Sequence, residues 1–289
     1  MSDGGHGRLV LVATPIGNLG DLSPRARDAL ANADLICCED TRRTRALLSA
    51  VGIPAGNRLL SLHGHNEAER LRRVSDCVAA GGTVVVVSDA GTPGISDPGA
   101  WLAAQLVEAG ETVTTVPGPS AVIAALVVSG LSTDRFCVEG FLPRKGAERH
   151  RRVTALMSDE RTSVVFEAPG RVAATLAELA GSDPGRSVAV VRELTKIHEE
   201  VWRGALRDAA DKFSAEPPRG EVVLVVGGAP PAAPPDEDDV EAAVRKALAG
   251  DPSAGPRQVA DRVAAALGVP KRRAYEAALR MRDGVAGMP

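Results

Sequence analysis

Five short apolar runs in the first 120 residues each end in a loop of glycine, proline and short polar residues, with helical patterns between them. The runs are Leu9–Ala13, Leu35–Cys38, Leu59–Leu62, Thr83–Val87 and Thr112–Val116. Their loops read TPIGNLGD (14–21), EDTRRT (39–44), HGHNE (63–67), SDAGTPGISDPG (88–99) and PGPSA (117–121). Strands that alternate with helices pair in parallel, because a parallel neighbour needs a crossover of a dozen or more residues. In open sheets of this kind ligands lie beyond the carboxyl ends of the strands, where all five loops would gather.

Local signals mark several boundaries. Thr83–Val87 is continuous and β-branched, as suits a strand buried on both faces. Ser23 and Pro24 read as N-cap and first residue of a helix to about Ala31. Asn66 with Glu69 reads as a capping box opening a helix to about Ala80. Asp97–Pro98 reads as the start of a helix that Gly110 closes.

The second half offers four further strands, Phe136–Phe141, Ser163–Phe166, Ser187–Val191 and Val222–Val226. Helical stretches lie around Ala147–Met157, Val172–Ala180 and Leu206–Phe213. The run GGAPPAAPPDEDD reads as a proline-rich acidic linker, and three helical patterns follow it: Val240–Ala249, Pro256–Leu267 and Lys271–Met281. The expected organisation is an α/β domain over 1–130, a second α/β domain with a mixed sheet over 131–228, a linker over 229–239 and a helical segment over 240–289.

Composition narrows the function. With 289 residues and a net charge of −3, a basic surface over the whole chain is excluded, so any polyanion site is local. Aromatic residues are 2% of the chain, too few for a row of rings that stacks single-stranded bases. Cys37, Cys38, Cys77 and Cys137 show no C-x-x-C spacing, which points to reduced thiols rather than a zinc site or disulfide framework. The opening MSDGGHGR lacks the pattern of a signal peptide, and no apolar run nears the roughly 20 residues of a membrane span, so a cytoplasmic protein away from membranes is expected.

The loops exclude familiar alternatives. TPIGNLG is not G-x-G-x-x-G, and neither a P-loop nor a G-x-S-x-G elbow is present. Taken singly, glycine and proline after a strand need serve only the turn. Loop 88–99 goes further, with two acids, three glycines and two prolines in twelve residues; Gly91 and Gly94 would let backbone approach a ligand closely. His63 and His65 alternate along a segment read as extended, so they would point to opposite faces and not form a metal pair.

Together TPIGNLGD, EDTRRT, HGHNE, VSDAGTPGISDPG, VPGPSA, DRFCVEGFLPRKG and RELTKIHEE resemble the tetrapyrrole methylase superfamily, and most closely its ribosomal RNA branch, the small-subunit rRNA cytidine 2′-O-methyltransferases. The resemblance runs in order from about Leu9 to Val226. It implies S-adenosylmethionine in a cleft between two α/β domains, a homodimer, and small-subunit ribosomal RNA as partner. It places cofactor contacts at Pro15, Ser88, Asp89, Ala90, Gly91, Pro93, Ser120 and Ala121, and at Phe166 and Glu167 in the second domain. The run VVFEAPGRV departs there from the family's tyrosine–glutamate–serine–proline–histidine pattern.

Methyl transfer from a sulfonium needs alignment and a proton acceptor, and the methyl group is already activated without a metal. Glu39, Asp40 and His63 are the leading acceptors, with Glu67, Glu139 and Glu193 as further choices. Arg42, Arg43, Arg144, Lys145, Arg192 and Lys196 are candidate RNA-backbone contacts; a solvated face, or pairing with Glu193 or Glu199, is the plainer reading of the last four. From Val240 on the chain holds nine basic and five acidic residues, and its helix–turn–helix-like pattern puts Lys271, Arg272 and Arg273 at a helix start. That segment serves either RNA guidance or packing. Two other functions stay open: methylation of a corrin or porphyrin precursor, and a non-enzymatic DNA-binding regulator.

Overall fold

The computed structural model describes residues 7–231 and 234–286. The chain divides into two compact units with the boundary between Ala229 and Pro230.

In the first unit, β1 (Arg8–Val12), β2 (Leu35–Cys38), β3 (Leu59–Ser61), β4 (Thr83–Val87) and β5 (Thr112–Val116) form one sheet in the order β3-β2-β4-β1-β5. Every pairing in it is parallel. Alternation along the strands divides the core by face. Val10, Val12, Ile36, Cys38, Val85 and Val87 pack under α1 (Pro24–Asn32) and α2 (Thr41–Ala50). Leu9, Leu35, Cys37, Val84 and Val86 pack under α3 (Glu67–Ala79) and α4 (Ala100–Glu108). Both faces are covered, which is why the valine run of β4 reads as continuous rather than alternating.

The second sheet is mixed, in the order β6-β7-β10-β8-β9, from β6 (Phe136–Phe141), β7 (Thr162–Glu167), β8 (Ser187–Arg192), β9 (Glu200–Ala205) and β10 (Val222–Val226). Only β6 and β7 pair in parallel. One face carries α6 (Ala147–Ser158), α7 (Val172–Ser182) and α8 (Leu206–Ala215). The other face is covered by α5 (Ala121–Ser129), whose Val122, Ala125 and Leu126 pack on Val164, Ala189, Val191, Val223 and Val225. The helix that follows the last strand of the first sheet thus belongs, by burial, to the second.

In the second unit, α9 (Glu237–Gly250), α10 (Pro256–Leu267) and α11 (Lys271–Ala286) share a small core of Val240, Val244, Val259, Val263, Ala274 and Ala278. Among the described residues no helix is long and apolar enough to cross a membrane.

Several boundaries differ from the sequence reading. The acidic end of the linker is helix: Asp236 caps α9 through Asp239 N, and Asp239 returns the bond, so the first turn absorbs Glu237–Asp239. Residues 232 and 233 of that linker lie outside the described residues. The capping box at Asn66 does not form. Its amide is spent on the preceding turn, accepting from His63 N at 2.8 Å and donating to Ser61 O at 3.2 Å. Because 63–66 is that turn, the two imidazoles stand with ring centroids 6.1 Å apart rather than on opposite faces. The helix read from Asp97–Pro98 starts at Ala100, because Gly99 lies at φ 117° and breaks the run before it. Strand β9 carries no marker strong enough to have been read, whereas α2 opens on Asp40, an N-cap residue already present in the loop EDTRRT.

Candidate active site

The strand order makes β4 and β5 the two neighbours of β1, so their loops meet. Thr14 and Gly91 exchange backbone hydrogen bonds at 2.9 and 3.0 Å, a one-residue bridge between the loops after β1 and β4. The Thr14 hydroxyl donates to Ser88 O at 3.3 Å, and the Thr92 hydroxyl donates to Pro119 O at 3.2 Å. The loop after β2 joins through Asp89, whose carboxylate accepts from Asp40 N at 3.1 Å and pairs with Arg43 at 3.3 Å. From the start of α3, buried Glu67 reaches the same region: its carboxylate accepts from Gly99 N at 3.3 Å and Leu102 N at 3.1 Å. Glu67 therefore takes the place of a side-chain cap that α4, starting after a glycine, cannot supply for itself.

These loops form one wall of a cavity of about 420 Å³. Ala90, Gly91, Thr92, Ile95, Ser96 and Asp97 line it from the loop after β4, and Ser120, Ala121 and Val122 from the start of α5. The opposite wall is Phe141 at the end of β6, Phe166–Pro169 at the end of β7, and Gly220–Val223 leading into β10. Phe141 and Phe166 lie 5.6 Å apart at a tilt of 46°, an apolar corner able to hold a base edge.

The expected cofactor residues split into two groups. Ala90, Gly91, Ser120, Ala121, Phe166 and Glu167 line the cavity, while Pro15, Ser88, Asp89 and Pro93 stand outside its lining. Ser88 is buried, and its hydroxyl donates to Ala90 O at 3.1 Å, shaping the loop from behind. Asp89 ties two loops together. Glu167 lines the cavity but its side chain is fully buried and its oxygens are taken: Ala168 N at 2.9 Å, Arg171 at 3.1 Å and the Thr175 hydroxyl at 2.6 Å. It fixes the turn from β7 into α7.

The expected proton acceptors are mostly occupied or remote. Asp40 caps α2 and pairs with Arg42 at 3.0 Å; the Arg42 guanidinium holds its carboxyl down at about 2. His63 follows β3, separated from β1 by β2 and β4. Glu139 pairs with Arg152 at 2.7 Å, and Glu193 with Lys196 at 2.8 Å, which lowers the Glu193 carboxyl below its usual range. Glu39 is half-buried and outside the cavity lining.

The residue that sequence reasoning missed is Asp97. It lines the cavity and pairs with no cation among the described residues. Burial, reinforced by the charges of Glu39 and Asp89, pushes its carboxyl up to about 6. The sequence showed it as a helix opener and as one of the two acids of loop 88–99, without a role of its own.

The expected RNA contacts also divide. Arg42 is almost fully exposed although paired, and Arg43 is largely exposed beside Asp89. Arg144 and Lys145 are exposed in the β6–α6 connection and form no ion pair among the described residues. Arg192 pairs with Glu200 at 2.7 Å, and Lys196 bridges Glu193 and Glu221. In the second unit Lys271 pairs with Asp261 and Arg272 with Glu276, while Arg273 has no ion pair among the described residues. Cys37 and Cys38 are buried in the sheet; burial pushes Cys37 up to about 12 and raises Cys38, so neither serves as a nucleophile. Among the described residues no group of three or more His, Cys, Asp or Glu could hold a metal ion.

The model for tetrapyrrole (corrin/porphyrin) methylases matches residues 8–210, which contain both sheets apart from β10. The chain belongs to the tetrapyrrole methylase family. A Mycobacterium tuberculosis relative named "Ribosomal RNA small subunit methyltransferase I" is 50% identical over 220 residues, 76% of this chain and 77% of that one. A Thermotoga maritima relative of the same name is 42% identical over 219 residues, which are 76% of this chain but 97% of the relative. Among solved structures, a uroporphyrin-III C-methyltransferase from Thermus thermophilus complexed with S-adenosylhomocysteine shares the fold, with a TM-score of 0.53 and 20% identity over 76% of this chain and 97% of that one.

For a methylase of this family the cavity suits S-adenosylmethionine. Its volume falls in the range of roughly 300–1,000 Å³ usual for small-molecule sites. Its lining is mostly apolar and backbone, with Asp97 at one side, the ion-paired Glu167 and Glu221 across from it, and the free N–H groups of the α5 start at another. Gly91, at φ 83°, turns the loop at the bridge to Thr14; an added Cβ there would lie 3.4 Å from Ile16. Gly91→Ala is expected to cost about 1–2 kcal/mol through the left-handed backbone alone, and to weaken donor binding about tenfold. Calorimetric titration beside a thermal melt checks both, and unchanged affinity would dissociate Gly91 from the donor site.

Proposed function

We propose that this chain transfers a methyl group from S-adenosylmethionine to the 2′-hydroxyl of a cytidine ribose in small-subunit ribosomal RNA, as a cytoplasmic homodimer. The observation that carries this reading is the 50% identity, across 77% of its length, to a relative named as a ribosomal RNA small subunit methyltransferase. The geometry agrees with it. The cavity adjoins loops that present exposed Arg42, Arg43, Arg144 and Lys145, cations suited to phosphates flanking the target nucleotide. The bound donor supplies an activated methyl group on a sulfonium.

The chain's own residues do the rest. Phe141, Phe166 and Ile16 exclude water from the adenosine side, and the loop backbone at Ala90–Thr92 orients the donor. Apolar Ile123 and Val127, exposed on α5, are the kind of surface a second copy would cover. The second unit, with Lys271, Arg272 and Arg273 at the start of α11, guides RNA through shape and backbone contacts.

The alternative substrate is a tetrapyrrole precursor, as the family's description allows. Incubation with labelled S-adenosylmethionine and either small ribosomal subunits or such precursors separates the two. Digestion of the RNA is expected to release label in 2′-O-methylcytidine. Label confined to the macrocycle would transfer the assignment to the alternative.

A further inference from the structure

Seven carboxylates stand within or beside the donor cavity's walls; five of them are already committed, and Glu39, though without an ion pair among the described residues, stands outside the lining. Asp89 holds Asp40 N and Arg43. Glu67 holds the first turn of α4. Glu167 is bound by Ala168 N, Arg171 and Thr175. Glu221 lines the cavity but is largely exposed and pairs with Lys196 at 3.1 Å. Glu193, behind it, is bound by that same lysine and by Glu221 N at 2.9 Å. Asp97 alone among them both lines the cavity and has no cation or backbone amide as partner among the described residues.

The chain holds Asp97 in place with some strain. Ser96, immediately before it, sits at φ 64°, a left-handed conformation costly for a residue with a side chain. Pro98 and Gly99 follow, and a hydrogen bond from Gly94 N to Pro98 O at 3.1 Å closes the backbone loop that carries Asp97. A backbone kept in an uncommon region on the lip of a cavity aims a side chain that the cavity uses.

We propose that Asp97 is the group that takes the ribose hydroxyl proton during methyl transfer. This rests on the reading of the reaction given above. The 2′-oxygen bonds to the methyl carbon as the carbon–sulfur bond breaks. The electron pair of that bond stays on sulfur, which becomes a neutral thioether, and the hydroxyl proton passes to a carboxylate oxygen of Asp97. Charge is conserved: one sulfonium and one carboxylate become a thioether and a carboxylic acid.

A carboxyl raised toward neutrality is a stronger base than an ordinary aspartate yet is still ionised at pH 7. The groups that set it are Glu39 after β2 and Asp89 after β4, which raise it, and the Ser88 hydroxyl, which lowers it. Glu67 from α3, and Glu167 and Glu221 across the cavity, complete the charged surroundings, the last two neutralised by Arg171 and Lys196. The base form is present above the folded value of about 6 and lost as pH falls through it.

The test is D97N in the full chain, with small ribosomal subunits as acceptor and donor at saturation. Single-turnover methylation is expected to fall about 10²–10³-fold. Donor affinity by calorimetry without RNA should change less than tenfold. At limiting donor, where the rate reports the free enzyme, the wild-type rate should drop about tenfold per pH unit below pH 6, and the residual D97N rate should be flat there. Because the wild-type profile needs no variant, the proposal stays testable even if D97N folds poorly. A saturated D97N rate within threefold of wild type, or a wild-type profile flat from pH 5 to 7, overturns it while leaving the methylase reading intact. Wild-type protein that puts no methyl on ribose sinks both.

Discussion

Glu67→Ala is expected to lower stability by about 3 kcal/mol, roughly 6–12 °C in Tm for a chain of this size. The carboxylate is buried and accepts from two backbone amides at the start of α4. Truncation leaves both N–H groups without a partner, and each buried unsatisfied donor costs about 1–3 kcal/mol. The loop that ends at Gly99 loses its anchor with them, so donor affinity should fall as well. Glu67→Gln keeps one acceptor oxygen and should lose about half as much. Thermal melts of both variants, with calorimetric donor titrations, test this. A stable Glu67→Gln variant unable to methylate would return Glu67 to the role of proton acceptor that its sequence position first suggested.

Removal of residues 230–289 is expected to reduce methylation of ribosomal RNA at least tenfold while donor affinity stays within threefold. The three helices carry their own core. The Thermotoga maritima relative is matched over 97% of its length by only 219 residues, so that protein has no room for a counterpart of these helices. Filter binding to subunits, compared with donor titration, separates the effects. An equal loss of both would make the helices a structural support.

What the sequence made legible follows from how local each signal is. The valine run of β4 and the Ser23–Pro24 start of α1 are decided within a few residues, and the structure has Ser23 accepting from Ala26 N at 3.1 Å. The five loops could be grouped because strand ends of a parallel sheet share an edge. The occupancy of their side chains could not, because it depends on partners far along the chain. Asp89 is engaged by Asp40 and Arg43, and Glu67 by residues 32 and 35 positions away. Asp97 escaped notice for the opposite reason: its importance lies in having no such partner, while its neighbour Pro98 made it look like a helix start. Strand β9 was illegible because EVWRGA, mostly half-buried at the edge of the sheet and paired only with β8, shows neither an apolar run nor a clean alternation.

The placement of α5 has a mechanical consequence. Residues 117–120 tie the end of β5 to α5, and α5 is packed on the second sheet, so parting the two sheets would stretch that short segment or pull Val122, Ala125 and Leu126 off Val223 and Val225.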